Sequence, residues 1–203
     1  MKQMVKNTLI LTAITLVSGL LLGYVYEITK GPIARSQELA KQKAYKAVLS
    51  DADTFEAFSK FDRNHAKKIL SDANLSGCRV EEVVEAKNEG QTIGYVVTVT
   101  STEGYGGDIK ISVGVYTDGK VSGIAIISIS ETAGLGMKAK DKAFYGQFAN
   151  KKISFFEVIK NDAMKDNEIE AISGATITSK AVTNAVNAGV TYFHQAIGGV
   201  ENE

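Results

Sequence analysis

The sequence predicts an α+β domain preceded by one membrane-spanning helix. Residues 7–26 contain no charged side chain, and about 20 apolar residues in a helix span the roughly 30 Å hydrocarbon core of a bilayer. Strand patterns then cluster between residues 79 and 130, and helical patterns follow them. Strands that precede helices in this way favour an α+β fold over a doubly wound parallel sheet.

The apolar segment is expected to be an uncleaved, single-pass anchor in membrane lipid. It is longer than the apolar core of a signal peptide, which has about 7–15 residues, and no small-residue cleavage site follows it. Lys2 and Lys6, in the tip formed by residues 1–6, favour a cytoplasmic N-terminus, although Lys30 and Arg35 on the other side leave the charge rule nearly neutral.

The anchor helix is expected to end or kink at Gly31-Pro32, because proline interrupts helical hydrogen bonding. Residues 27–78 then form a membrane-proximal helical stalk in this prediction, with mixed helix and loop over 51–75. The soluble domain is expected to occupy residues 79–203.

Alternating apolar residues and turn signals predict the elements of that domain. Asn88-Glu89-Gly90 and Asp118-Gly119 indicate hairpin turns. The near-continuous apolar run Val121–Ile129 suits a central strand buried on both faces. The other predicted elements are strands at Val80–Glu85, Ile93–Thr100, Ile109–Val115 and Ile153–Ile159, a short helix at Lys138–Ala149 and a closing helix at Thr178–Ile197 whose apolar stripe is Val182, Val186, Val190, Phe193 and Ile197.

Three glycine-containing segments interrupt this pattern: Gly104–Gly107, Glu131–Met137 and Ser173–Ser179. Glycine lets a flat ligand or a phosphate approach the backbone closely. The third segment leads into the closing helix, and a helix N-terminus offers free N–H groups and a positive dipole end to a phosphate. Each segment taken alone is more simply explained as an ordinary turn or helix cap.

Composition excludes several classes of function. The 23 basic and 23 acidic residues balance, so no nucleic-acid partner is expected. The single cysteine, Cys78, and the two separated histidines, His65 and His194, offer no spacing for a zinc or iron–sulfur site. No Gly-Lys-Ser/Thr sequence is present, which excludes a P-loop NTPase, and no segment fits the G-x-G-x-x-G nicotinamide fingerprint.

The anchor followed by the three glycine segments in this order resembles the FMN-binding G subunit of the Rnf electron-transport complex. It is also similar to the C subunit of the sodium-pumping NADH:quinone oxidoreductase. The resemblance covers nearly the whole chain. It implies FMN bound through a phosphoester to Thr176, the threonine that ends Ser-Gly-Ala-Thr, with Thr178 as the rival by position.

The resemblance also implies roles for neighbouring residues. The family's flavin transferase reads an acidic residue three positions before the motif serine, which is Glu170 here, and Ala133 replaces a usual proline. Glu131 and Thr132 are expected to hydrogen-bond the flavin, and Leu135 and Met137 to pack on its ring. The full expected cofactor set is Tyr105, Gly106, Glu131, Thr132, Gly134, Leu135, Gly136, Ser173, Gly174, Ala175, Thr176, Ile177 and Thr178.

The implied function is an electron relay without a complete activity of its own. The resemblance implies other subunits of a membrane complex that couples ferredoxin and NAD oxidoreduction to Na⁺ or H⁺ translocation, with the soluble domain outside the cytoplasm. The alternatives are the C subunit of the quinone oxidoreductase and a membrane-anchored binding module without redox chemistry.

Overall fold

The computed structural model describes residues 1–160 and 163–198, and two compact units divide the chain at Ala40/Lys41. Helix α1, Lys2–Val48, begins in the first unit and contains Pro32 in its interior. The helix therefore does not end at Gly31-Pro32, which is one of the two outcomes expected there. Good helix formers follow the proline and continue the helix beyond it: Ala34, Arg35, Gln37, Glu38, Leu39 and Ala40.

The apolar part of α1 is long enough to cross a membrane by length and composition. Its leucine, isoleucine and valine side chains are exposed throughout, which a soluble helix of this length would not tolerate. The bounds of the span, residues 7–26, stay a prediction.

The second unit is built on a five-stranded antiparallel sheet in the order β1-β2-β3-β4-β5. The strands are β1 Thr54–Ala57, β2 Cys78–Asn88, β3 Gln91–Ser101, β4 Ile109–Tyr116 and β5 Val121–Ser128. Each strand is antiparallel to the next, and positive-φ residues make the tight turns: Gly90 lies at φ +80° and Gly119 at φ +82°. The predicted hairpins over residues 80–129 and the α+β fold class are confirmed.

One face of the sheet packs against α4, Thr176–Tyr192, and α2, Arg63–Asp72. The predicted stripe of the closing helix is fully buried there, and Gly189 brings α4 close enough that an added methyl group would lie 3.1 Å from Val113 Cγ2. A five-residue π-helical turn, Phe193–Ile197, ends this helix.

The other face packs against the end of α1. Tyr45, Val48 and Leu49 contact Val84 and Val96, and together they form a second, smaller core. Lys41 Nζ lies 2.9 Å from the Glu82 carboxylate, and the Tyr45 hydroxyl also donates to that carboxylate. Residues 41–48 thus form part of the domain.

Two predictions about the domain need correction, its first residue and the position of β5. The domain does not start at 79, because β1 and α2, in the expected stalk 27–78, belong to the same sheet and core. They were missed because β1 has four residues, mostly exposed, and α2 buries only Ala66, Ile69 and Leu70. The apolar run of β5 forms an edge strand that is only partly buried, since strand order decides coverage and the sequence does not encode it locally.

The segment after β5 is more broken than predicted. The expected helix over residues 138–149 is a 3₁₀ turn at Gly136–Lys140, a single helical turn α3 at Lys142–Tyr145 and another 3₁₀ turn at Gly146–Phe148. The expected strand 153–159 shortens to β6, Glu157–Ile159, which pairs in parallel with β7, Glu168–Glu170.

A cavity at the N-terminus of helix α4

The three glycine segments, far apart in sequence, meet at the N-terminal end of α4 around one cavity of about 630 Å³. Hairpin β3–β4 supplies the first segment, the exit of β5 supplies the second, and the turn after β7 supplies the third. The lining residues are Tyr105, Glu131, Thr132, Leu135, Gly136, Gly174, Ala175, Thr176, Ile177 and Thr178.

Most of the expected cofactor residues therefore lie together. Ser173 lines a neighbouring cavity of about 250 Å³ with Lys138, Gln147 and Glu170. Gly134 and Gly106 are absent from the lining of the larger cavity, and so is Met137. Met137 is therefore not placed to pack against a ligand in this cavity.

Helix α4 begins at Thr176, two residues before the predicted start at Thr178. Ala175 occupies the cap position and makes no side-chain capping bond. The backbone N–H groups of Thr176, Ile177 and Thr178 donate to no residue in the described part of the chain. The helix start therefore presents unused donors and the positive end of its dipole to the cavity, with no acidic residue in the first turn.

A buried serine fixes the turn that leads into α4. Ser179, which has no exposed surface, accepts a hydrogen bond from Ile172 N at 2.9 Å and donates one to Ala175 O at 2.9 Å. Gly174 reverses the chain at φ +77°, a conformation that side chains rarely adopt. Sequence reasoning gave Ser179 no role, although it is the last residue of the third glycine segment.

Glu131 links the other two segments. Its carboxylate is buried, and Oε1 accepts a hydrogen bond from Gly106 N at 3.2 Å. Gly136 lies against it: a methyl group added to Gly136 would be 2.7 Å from Glu131 Oε2 and 2.7 Å from Thr178 Oγ1. Glycine at this position is therefore required by close packing, whereas Gly134 has open space around it and a φ of +77°.

The cavity wall exposes large apolar side chains. Tyr105 is 73% exposed, Ile177 54% and Leu135 45%. Exposed apolar groups around a concave surface, next to a few polar groups, are typical of a small-molecule site, and the volume lies within the usual range of about 300–1,000 Å³.

The two candidate threonines differ in accessibility. Thr178 is 2% exposed, whereas Thr176 is half-buried at the cavity wall. Of these two threonines, only Thr176 has substantial surface on the cavity.

Comparison with known proteins identifies the class to which this site belongs. The family model described as FMN-binding domain matches residues 104–191, a range that includes all three glycine segments, so the site lies in a region similar to FMN-binding domains. A second model, the RnfG N-terminal region, matches residues 1–48.

Curated relatives identify the family more narrowly. The chain is 35% identical, over 95% of its length and 92% of the relative's, to the G subunit of the Na(+)-translocating ferredoxin:NAD(+) oxidoreductase complex of Acetobacterium woodii. It is 36% identical, over 93% of its length and 91% of the relative's, to the G subunit of the proton-translocating ferredoxin:NAD(+) oxidoreductase complex of Clostridium ljungdahlii. The chain belongs to the family of G subunits of ion-translocating ferredoxin:NAD(+) oxidoreductase complexes, and the expected resemblance is confirmed.

Solved structures confirm the fold. The NqrC protein of Shewanella oneidensis matches with a TM-score of 0.50 and 21% identity, over 60% of this chain and 61% of that one. The C subunit of the Na(+)-translocating NADH-quinone reductase of Parabacteroides distasonis gives the same score and identity over 71% and 77%.

Proposed function

We propose that this chain carries FMN in a phosphoester bond to Thr176 and relays electrons inside a membrane-bound ferredoxin:NAD(+) oxidoreductase complex. The observation that carries the proposal is the cavity in which three distant glycine segments meet at the start of α4, with Thr176 on its wall. The FMN-binding family match over the same residues supports the choice of cofactor.

The residues at the cavity fit the chemistry of FMN. The free N–H groups of Thr176, Ile177 and Thr178 would hold phosphate oxygens at the helix N-terminus. The exposed side chains of Tyr105 and Leu135 would give a flat aromatic ring an apolar surface to pack against. FMN, when bound, supplies the redox chemistry, and the protein positions it and adjusts its surroundings.

Exposure favours Thr176 over Thr178 as the point of attachment. Esterification joins the threonine Oγ to phosphorus, releases the hydroxyl proton and expels the leaving group of an activated flavin nucleotide. A transferase must bring that nucleotide to the hydroxyl, and Thr178 at 2% exposure is closed to it. Glu170, exposed on β7 three positions before Ser173, is available for recognition by the transferase.

The rest of the electron path belongs to other subunits of the complex. No group of histidine, cysteine or acidic residues within residues 1–160 and 163–198 is arranged to hold a metal ion. Ion translocation is likewise proposed for the complex, because the apolar segment has no charged side chain between Lys6 and Glu27. The relatives named above differ in their ion, sodium in one and protons in the other, at nearly equal identity.

The attachment is tested by intact-mass measurement of the full chain produced with a flavin transferase. The wild-type mass should rise by one esterified FMN, Thr176→Ala should stay unmodified, and Thr178→Ala should keep the modification. Wild-type protein made without the transferase is the control. An unmodified wild-type protein in the presence of active transferase, or loss of flavin only in Thr178→Ala, would contradict the proposal. Unmodified protein would favour the non-redox binding module.

The membrane topology is proposed as a single pass through residues 7–26, with the N-terminus in the cytoplasm and the domain outside. A cysteine placed at the exposed Ser50 should react in intact cells with a membrane-impermeant maleimide. A cysteine at Gln3 should react only after the cells are opened. The reverse pattern would show the opposite orientation. The buried native Cys78 is the background control.

A further inference from the structure

A second cavity, of about 370 Å³, lies between α2 and the start of β2, away from the proposed FMN site. None of its lining residues lines the larger cavity. They are Arg63, Asn64, Ala66, Lys67, Leu70, Ser76, Gly77, Cys78, Arg79, Val80 and Thr102. Nothing in the proposed electron relay uses this cavity.

The interior of this cavity is apolar. Ala66 and Leu70 are each 1% exposed, and Val80 is 3% exposed. Cys78 adds a buried thiol. Burial, the largest effect, raises the pKa of this thiol to about 12, so it is neutral at physiological pH and places no negative charge in the cavity.

The charged lining is entirely cationic. Arg63 and Lys67 lie one helical turn apart on the face of α2 that also carries Ala66 and Leu70. Arg79 stands on the opposite wall. No carboxylate is among the lining residues.

Two of these cations have no ion-pair partner. Within the described ranges, Lys67 forms no ion pair, and the only hydrogen bond of Arg63 is a long one, 3.5 Å, to the backbone oxygen of Glu81. Arg79 uses Nε for Glu81 at 2.7 Å, which leaves its terminal nitrogens. The lining residues of the cavity therefore carry positive formal charge, and Arg63 and Lys67 supply the part that is not paired.

Three carboxylates next to lining residues, in the chain or in space, accept hydrogen bonds. Glu81 accepts from Arg79, Asp62 accepts from Asn64 N at 2.8 Å, and Glu103, which lies over Gly77, accepts from Asn184 Nδ2 at 2.7 Å. Asp62 and Glu103 keep their charge because their donors are neutral, but within the described ranges neither they nor Glu81 forms an ion pair with Arg63 or Lys67.

We propose that this cavity binds a small amphipathic carboxylate, with an apolar body of about one ring held against Ala66, Leu70 and Val80 and its carboxylate held by Arg63 and Lys67. The volume is near the lower end of the usual range for small-molecule sites, which fits a ligand of this size. Guanidinium and ammonium groups bind carboxylates with charge-assisted hydrogen bonds.

The test uses 4-(trifluoromethyl)benzoate as the probe and the full chain in zwitterionic detergent, followed by ¹⁹F NMR line broadening. Binding to wild type should be saturable, and Lys67→Glu should weaken it by about tenfold. Lys68→Glu is the matched control: it makes the same charge change on the same helix at an exposed position outside the cavity, so affinity should stay within about twofold.

Further measurements distinguish binding in this cavity from non-specific binding of the probe. The amine of the same shape, 4-(trifluoromethyl)benzylamine, and acetate should not compete, because one has the wrong charge and the other lacks the apolar body. Arg63→Gln should also weaken binding, and it covers the case in which Lys67→Glu disturbs folding. No saturable binding to wild type, equal losses in Lys67→Glu and Lys68→Glu, or equal binding of the amine would overturn the proposal. Binding that persists in FMN-free protein separates its outcome from that of the electron relay.

Discussion

Gly136 makes the strictest steric demand at the proposed FMN site. Because an added methyl group would meet both Glu131 and Thr178 at 2.7 Å, Gly136→Ala should displace the second glycine segment from α4. We expect FMN incorporation, measured by intact mass, to fall at least severalfold while the domain stays folded by circular dichroism.

Gly134 provides the matched comparison, because its position requires a positive backbone φ but leaves space for a side chain. It has φ +77° and open space around it, and asparagine tolerates this region better than other side chains. Gly134→Asn should therefore retain most of the FMN incorporation. Equal loss in both variants would show that the segment tolerates no side chain at either position, and that packing against Glu131 is not the reason.

The Cys78 thiol should be unreactive in the folded protein. Burial raises the pKa of its thiol to about 12, and maleimides react with the thiolate. At pH 7–8 the wild-type chain should react slowly with a maleimide and become fully labelled in denaturant. Rapid labelling of the native chain would mean that the thiol is open to solvent.

The raised pKa of the Cys78 thiol also determines how the stability of the domain changes with pH. A thiol in the unfolded chain ionises near its ordinary pKa of about 8.5, well below the folded value. Above about pH 8.5 the thiol loses its proton in the unfolded chain but keeps it in the folded one. The contribution of Cys78 to the free energy of unfolding is therefore constant near neutral pH and falls as the pH rises above about 8.5. Cys78→Ala should reduce the loss of stability between pH 8.5 and 10, measured by urea unfolding.

At the scale of elements, Asn187 holds the irregular segment before β6 against α4. Its side-chain amide accepts from Phe156 N at 2.7 Å and donates to Phe156 O at 2.9 Å, and the residue is completely buried. Asn187→Ala leaves both backbone groups without partners, which should cost about 2 kcal/mol and speed hydrogen exchange over residues 153–159.

Asn184, one turn earlier on the same helix, is the control for that variant. Its amide bonds the exposed Glu103 carboxylate, so Asn184→Ala should cost less than about 1 kcal/mol. Equal destabilisation by the two alanine variants would contradict the role given to Asn187.

The elements that sequence predicted well are those whose turns have a distinct chemistry. Gly119, Glu89 and Gly90 adopt the positive-φ conformations that tight hairpins need, and their turn signals in the sequence separate the strands β2 to β5 in the right order. The four-residue β1 is mostly exposed and carries no such signal, and the amphipathic pattern of α2, formed by Ala66, Ile69 and Leu70, extends over only ten residues. The edge position of β5 depends on which strand lies beyond it, and local sequence cannot report that.

At the scale of the whole molecule, the end of α1 is part of the domain and completes its second core. A chain that starts at Lys41 retains Tyr45, Val48 and Leu49, and it should be soluble and unfold cooperatively. A chain that starts at Arg79, the boundary expected from sequence, loses β1, α2 and that core. It should fail to give a cooperative transition in urea followed by circular dichroism. Folding of the shorter chain would show that the second core is dispensable.

The candidate site could be predicted from sequence as a set of segments, but not as a geometry. The three glycine segments can be recognised in the amino-acid sequence, because each is a short run of small residues between predicted elements. The structure is needed to see why glycine is required at Gly134 and at Gly136 for different reasons. It is also needed to see the buried hydrogen bonds of Ser179, because these contacts depend on how the chain folds.

The open wall of the larger cavity, where Tyr105, Leu135 and Ile177 remain exposed, has a consequence for how tightly a cofactor must be bound. A surface this open buries little of a flat ring, and reversible affinity for free FMN should be weak. A covalent bond to Thr176 would make high affinity unnecessary. A tethered flavin has an effective concentration at its site of about millimolar, however dilute the free cofactor is. The ring would then stay accessible to a neighbouring protein of the complex without being lost to the solvent.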